Sequence, residues 1–458
     1  MDLQSWKILL PTVAVLAVAV VTRGTLPALA SGVLLGHILL DGTACLRAAG
    51  GSLTTQLTTP TVAWVVLVCG LLGGLTHLLL RVGGTAALAD LLGRRVRTGW
   101  AALLAAWLAG LAVFIDDYLN VLLVGGALRG VTDRLRVPRE RLAYVIDATA
   151  APVCILVPLS TWAVYVAGLL ETSGAAAAGE GMAAYMQLIP WTFYGWFAIM
   201  IVPLVISGWI PAWGSMRTAD ARVAAGGSVA PADSPAGLED GEEPLPGGGV
   251  TDFLLPVAVL IVATVLSGSD ALQGVIWALV ALTVQQVILR RRLTATDLAD
   301  TACRGAASMV PALATILLAF MLQEVNARLG LTEWVIGSVT PWLTAGLLPV
   351  ATFLVTAAVT FASGSFWGTY AVALPIVVPL ARDLGGDPLL TAAAVVSAGG
   401  FGSHACFFGD STVLASRAAG CNNLAHARSQ LPYAVLGGML TATAYLAVGQ
   451  IAGASSGN

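Results

Sequence analysis

Long apolar runs, each closed by a short cluster of charged, glycine or proline residues, recur almost from one end of the chain to the other. A helix that crosses the hydrocarbon core of a bilayer needs about 20 apolar residues, and the pattern predicts such helices over 8–21, 26–46 and 59–80. The run 98–128 is as apolar but carries Asp116 and Asp117 at its middle, and an arginine-rich loop over 129–141 follows it. An interrupted segment over 142–170 and a helix over 190–210 come next. The pattern then fails over 213–249, where glycine, alanine, proline and acidic residues predict a flexible cytoplasmic linker. It returns over 251–266, 271–289 and 308–324, in a re-entrant candidate over 342–381, in an interrupted segment over 389–416, and over 431–450. The expected organisation is a first repeat at 1–213, a linker at 214–250 and a second repeat at 251–458. A single basic residue, Lys7, precedes the first run and no small-residue cleavage site follows it, so that run is expected to remain a membrane helix.

The two sides of the linker match each other in order. His77-Leu-Leu-Leu-Arg81-Val-Gly83 ends one helix and Glu324-Val-Asn-Ala-Arg328-Leu-Gly330 ends another. In each half a phenylalanine opens the polar centre 37 residues later, Phe114 in FIDDYLN and Phe361 in FASGSFW. Pro158-Leu-Ser160-Thr161 then matches Gly409-Asp410-Ser411-Thr412. Arginines flank short cytoplasmic loops, and they fall at Arg94, Arg95, Arg97, Arg129, Arg134, Arg136, Arg139 and Arg141 in the first half. The matching second-half loop has only Arg382, beside Asp383 and Asp387, whereas Arg290, Arg291, Arg292, Arg417 and Arg428 sit in loops whose first-half counterparts are poor in arginine. Equivalent loops therefore lie on opposite faces. The fold class expected is an all-α polytopic membrane protein of two inverted repeats, each about five transmembrane helices plus one re-entrant hairpin, with broken helices at the midplane.

Composition agrees and narrows the function. Of 458 residues, 57% are hydrophobic and 10% charged, against about a quarter charged in soluble domains. A net charge of -3 gives no footing for nucleic acid. Six cysteines (Cys45, Cys69, Cys154, Cys303, Cys406, Cys421) lie scattered without CxxC spacing and read as packing residues. No HExxH, no phosphate-binding lysine loop and no nucleophile–base constellation occurs, so neither an enzyme nor a cofactor is expected.

The chemistry gathers at the interruptions. A carboxylate at the bilayer centre costs about 2.5–3.5 kcal/mol on insertion scales. Asp116 and Asp117 repel one another in a low dielectric unless a proton or cation joins them. Asn120 adds an acceptor one turn later, and Gly125-Gly126 permits close backbone approach. The bland alternative is that one aspartate caps a helix. Asp147 precedes Pro152 and Pro158, which free backbone carbonyls. Beside Ser160 and Thr161 these make an oxygen-rich shell for a monovalent cation, although a simple kink explains the prolines as well. The second half offers Ser363-Gly364-Ser365 with Thr369, then Ser403-His404 and Asp410-Ser411-Thr412. His404 can titrate near neutrality. Asp116, Asp117 and Asp410 are the sodium candidates. Glu324 and His77 are weak candidates, and His37 and His426 carry little signal.

FIDDYLN (114–120), the tract from Leu142 through Asp147 to Pro152, Pro158-Leu-Ser-Thr-Trp162, the motif Ser363-Gly-Ser-Phe-Trp-Gly-Thr369, and Gln430-Leu-Pro-Tyr433 resemble the NhaC-type sodium/proton antiporter family of the ion transporter superfamily. The resemblance runs from about residue 94 onward, the linker excepted. It implies a scaffold part and a transport part, with two re-entrant hairpins and two broken helices meeting at the ion site and an elevator-like movement. One departure stands out. Where that family has Gly-Asp-His and Ser-Asp-Thr, this chain has Gly402-Ser403-His404 and Gly409-Asp410-Ser411, so one carboxylate is missing. Related proteins carry organic solutes on the same framework, including malate with lactate and some amino acids.

The expectation is secondary active exchange of sodium and protons across the cytoplasmic membrane. The lipid bilayer is its partner, and a homodimer follows by analogy with elevator carriers. The alternative is sodium- or proton-coupled carriage of an organic acid or amino acid. Asp117→Asn in proteoliposomes is expected to abolish sodium-dependent proton movement; retained exchange removes that carboxylate from the mechanism.

Overall fold

The structure is a computed structural model that describes all residues except 1–4, 23–24, 115–116, 159, 233, 235–244, 269, 332–333, 335–342, 365 and 457–458. Among the described residues the regular elements are helical. The chain opens with α1 (Leu10–Thr22), α2 (Thr25–Asp41), α3 (Cys45–Thr58), α4 (Pro60–Arg81) and α5 (Gly84–Arg95). Next are α6 (Gly99–Ala112), α7 (Asp117–Arg134), α8 (Arg139–Ala148), the single turn α9 (Ala151–Cys154) and α10 (Thr161–Thr172). After them come α11 (Gly181–Leu188), α12 (Phe193–Ile206) and α13 (Gly214–Ala224). The second half has α14 (Thr251–Leu266), α15 (Ala271–Thr283), α16 (Ala295–Ser308) and α17 (Val310–Arg328). It continues with α18 (Leu348–Ser363), α19 (Phe366–Asp383), α20 (Pro388–Ala405), α21 (Asp410–Ala419) and α22 (Asn423–Ser456).

This is a polytopic membrane protein. Leu26–Thr58, Val62–Arg81, Ala271–Leu289 and Asn423–Ile451 are each long and apolar enough to cross a bilayer, and three further pairs qualify if a bend of 42° to 49° is allowed within one span. The outside is oily, with Leu254, Val262, Leu266 and Trp277 exposed on α14 and α15. The inside holds the charge, with Asp117, Asn120, Asp147, His404, Asp410 and Gln430 all buried. Lipid rewards that arrangement, because an ionisable group facing hydrocarbon has no partner.

Two of the helices are short. α6 has 14 residues and so rises about 21 Å, less than the hydrocarbon thickness of about 30 Å. α18 has 16 residues, about 24 Å. α18 ends at Gly364, whose φ of 72° is a left-handed cap that a side chain would strain. The chain turns there into α19.

Two further segments are broken, for different local reasons. Between α8 and α10 the prolines do not kink a continuous helix. Pro152 sits in the first turn of α9, where a missing N–H costs nothing, and Pro158 lies in the turn before α10. The second break, 406–409, has no proline; α20 stops at Ala405 and α21 restarts after Gly409 as N-cap.

The expected loops and linker need correction, and Arg417 and Arg428, expected in loops, lie inside α21 and α22. Arg129 is not in a loop: α7 runs on to Arg134, and Arg129 is buried near Asp133 at 3.8 Å. The stretch expected to be flexible from residue 213 begins with α13, which packs Met216, Ala219 and Val223 inward. Its Asp220 takes both arms of Arg141 at 2.6 Å, and its Arg222 grips the buried Glu140 at 2.8 Å through both nitrogens. Composition hid this helix, because its apolar face is spread over only three small or flexible side chains. Arg222→Ala leaves Glu140 without its fork and should cost about 2 kcal/mol. Faster tryptic cleavage at Arg217 is the expected readout.

Candidate functional site

The two breaks meet around a buried polar cluster. Asp147 is the next-to-last residue of α8, at the helix end that attracts cations. Its Oδ2 accepts from the Thr412 hydroxyl at 3.0 Å, from Gln430 Nε2 at 2.8 Å, and lies 3.1 Å from His426 Nε2. One carboxylate oxygen thus gathers groups from α21 and α22. Asp147 Oδ1 is buried and unpartnered. Gln430 Nε2 also donates to the His404 carbonyl at 2.7 Å, tying the end of α20 to the start of α22. The His404 ring shares a 2.6 Å hydrogen bond through Nδ1 with the Tyr194 hydroxyl, lies parallel to the Tyr144 ring, and leaves Nε2 unpartnered.

Asp410 begins α21, where the helix dipole favours a negative charge. Its Oδ2 receives the Tyr118 hydroxyl at 2.5 Å and its Oδ1 the Ser411 amide at 2.9 Å. The Ser411 hydroxyl lies 3.4 Å from that of Ser403. The first turn of α21 therefore hands Asp410 to α7 and Thr412 to α8.

The first hairpin turn is bolted by Asn120. Its amide nitrogen donates to the carbonyls of Gly110 at 2.7 Å, Val113 at 2.9 Å and Thr149 at 2.9 Å, so one side chain joins the end of α6 to the end of α8. Gly110 is required at this approach: a Cβ there would stand 2.1 Å from the Thr149 hydroxyl. Trp162 Nε1 donates to Asp117 Oδ1 at 3.2 Å, and the same indole stacks at 3.5 Å on Phe366 of α19. At the second turn the Phe408 ring lies against Gly364. The Cys154 thiol donates to the Phe114 carbonyl at 3.4 Å and the Cys406 thiol to the Phe361 carbonyl at 3.3 Å.

Of the residues singled out in the sequence, Asp147, His404, Asp410, Ser411 and Thr412 come together, and Asp117 joins them through its neighbour Tyr118. The Asp147 carboxylate points into the cluster. Ser160 serves the break itself: its hydroxyl donates to the Cys154 carbonyl at 2.6 Å and caps α10 at the Ala163 amide. Thr161 opens α10, Ser363 and Gly364 close α18, and Thr369 is buried on α19. Asp116 and Ser365 lie outside the described residues. Among the described residues no three His, Cys, Asp or Glu side chains converge on one point. Tyr118, Trp162, Tyr194, His426 and Gln430 were not foreseen. Tyr118, Trp162 and Gln430 stand inside quoted motifs, whereas His426, set aside for want of a pattern, proves to touch Asp147.

A model of the Na+/H+ antiporter family matches residues 153–450, well over half of the chain. The chain belongs to the Na+/H+ antiporter family. Two relatives are similar to this antiporter. An uncharacterized protein of Haemophilus influenzae is 29% identical over 97% of this chain and 91% of its own length. The malate-2H(+)/Na(+)-lactate antiporter of Bacillus subtilis is 30% identical over 28% of this chain and 29% of its own length. The family is one of membrane transporters with ions as cargo, not an enzyme class.

In this antiporter Asn120→Ala strips three buried carbonyls of their donor, at about 1–3 kcal/mol for each that finds no substitute. A fall in the melting temperature of the purified protein, together with lost exchange, is the expected result.

Proposed function

We propose that this chain is a sodium/proton antiporter of the NhaC type in the cytoplasmic membrane. Asp147 and Asp410, with Asp117 beside them, hold protons and sodium by turns. The observation that carries the reading is the first turn of α21, which sets Asp410 against Tyr118 at 2.5 Å and Thr412 against Asp147 at 3.0 Å. Two carboxylates from opposite halves of the chain are thereby linked through hydroxyls that can also serve a bare cation. An exchanger needs only one site that the two ions occupy alternately, and helix ends buried at mid-membrane are a recurring way to build it.

The order of elements supports two inverted repeats: a short hairpin precedes a broken segment in each half, α6–α7 before α8–α10 and α18–α19 before α20–α21. On this reading the hairpins and broken helices move as one elevator-like body, and two copies of the chain associate in the membrane. His426 touches Asp147 directly, and His404 is tied to the same oxygen through Gln430. Asp116, Ser365, Thr161 and Ser363 stay candidates on the sequence motifs, and Thr369 is buried on α19.

A second reading has one specific support, the partial match to a malate-2H(+)/Na(+)-lactate antiporter, together with Ser403 in place of an acid. Here the chain carries an organic acid or amino acid against or with a cation. Currents on a solid-supported membrane separate the two: sodium or lithium jumps alone drive charge movement in an ion exchanger, whereas the rival requires a carboxylic or amino acid. Asp410→Asn is expected to reduce sodium-dependent proton flux to background, and Thr412→Val to lower apparent sodium affinity about tenfold, the loss of one hydrogen bond to a charged group.

A further inference from the structure

We infer that Cys154 and Cys406 are a matched pair of positioning residues, each fixing one hairpin turn against the helix break behind it. The geometry is the same twice. Cys154 is the last residue of α9 and Cys406 the first beyond α20, so each stands at the mouth of a break. Both side chains are fully buried. Each thiol donates to a phenylalanine carbonyl far away in sequence, Cys154 to Phe114 at 3.4 Å and Cys406 to Phe361 at 3.3 Å. Those two phenylalanines are the residues that the internal repeat pairs with one another, through spacings that do not involve the cysteines.

The acceptors are carbonyls where helix bonding runs out. Phe114 lies two residues beyond α6 and Phe361 lies in the last turn of α18. A thiol is a weak donor on a small apolar body, suited to a site where hydrocarbon packing and one hydrogen bond are both wanted. Each clasp also leads directly into the ion cluster. The Cys154 carbonyl accepts from Ser160, which caps the helix bearing Trp162 and hence meets Asp117. Cys406 sits between His404 and Asp410, and the Phe361 ring packs edge-on against Phe407 at 5.8 Å. Loosening either clasp lets the turn drift from the break, and the groups that surround the ion lose their spacing.

This assignment rests on the ion-exchange reading only for its flux readout. Cys154→Ala, Cys406→Ala, the corresponding serine variants and the exposed Cys303→Ala as control are compared in proteoliposomes under a sodium gradient. Each alanine variant is expected to raise the KM for sodium about tenfold with kcat little changed, since one donor to a buried carbonyl is lost. The serines, which restore a donor, should return KM to within about twofold of the parent, and Cys303→Ala should leave it unchanged. An alanine variant that fails to fold is replaced by valine, which fills the space without donating. Wild-type KM in the non-donor variants, or equal impairment in serine and non-donor variants, overturns the assignment. A parent protein that moves no sodium would count against the ion-exchange reading, and the clasps are then read by amide hydrogen exchange at the ends of α6 and α18. Exchange about tenfold faster in the non-donor variants and not in the serines supports the clasps; unchanged exchange overturns them.

Discussion

A carboxylate enclosed by lipid-facing helices must be neutralised or surrounded by donors, and the structure is organised around meeting that demand for Asp147 and Asp410. Neither could be served by a continuous helix, whose amides are already bonded to its own carbonyls. Breaking α8 from α10 and α20 from α21 brings helix ends, with their unsatisfied backbone groups and dipoles, to the same buried region. Asp410 begins a helix and Asp147 nearly ends one, so the two acids sit in opposite backbone fields. The donors around them come from α7, α21 and α22.

The cluster is held in place by contacts that cross between the two halves. Tyr118 of α7 reaches Asp410 of α21, and Trp162 of α10 lies between Asp117 of α7 and Phe366 of α19. Tyr194 of α12 meets His404 of α20. Neither half could form the site alone. Beneath it, α13 grips the start of α8 through two bidentate arginine pairs. Movement of the site helices relative to the rest must therefore carry α13 along or break those pairs.

The membrane class, the placing of the apolar helices and the residues of the polar centres were legible because each depends on short-range pattern: run length, proline and glycine position, and acids inside oil. Asp147, His404, Asp410 and Thr412 could be named on that basis. What brings them together could not. His426 touches Asp147 across 279 residues and Tyr118 touches Asp410 across 292, distances over which no periodicity carries information. Prolines misled in a limited way, since Pro152 starts a helical turn where a kink was considered. The linker misled through composition, because small residues rich in alanine form α13 as readily as coil once two arginine–carboxylate pairs anchor it.

If protons and sodium compete for one buried set of carboxylates, sodium binding must expel protons. Proton release on sodium addition tests it most directly: purified antiporter in weakly buffered detergent near neutral pH, with a pH indicator, titrated against sodium and against choline as control. Saturable release of a fixed number of protons per chain is expected on sodium binding, and none with choline. Sodium binding, seen calorimetrically, without any proton release would contradict it.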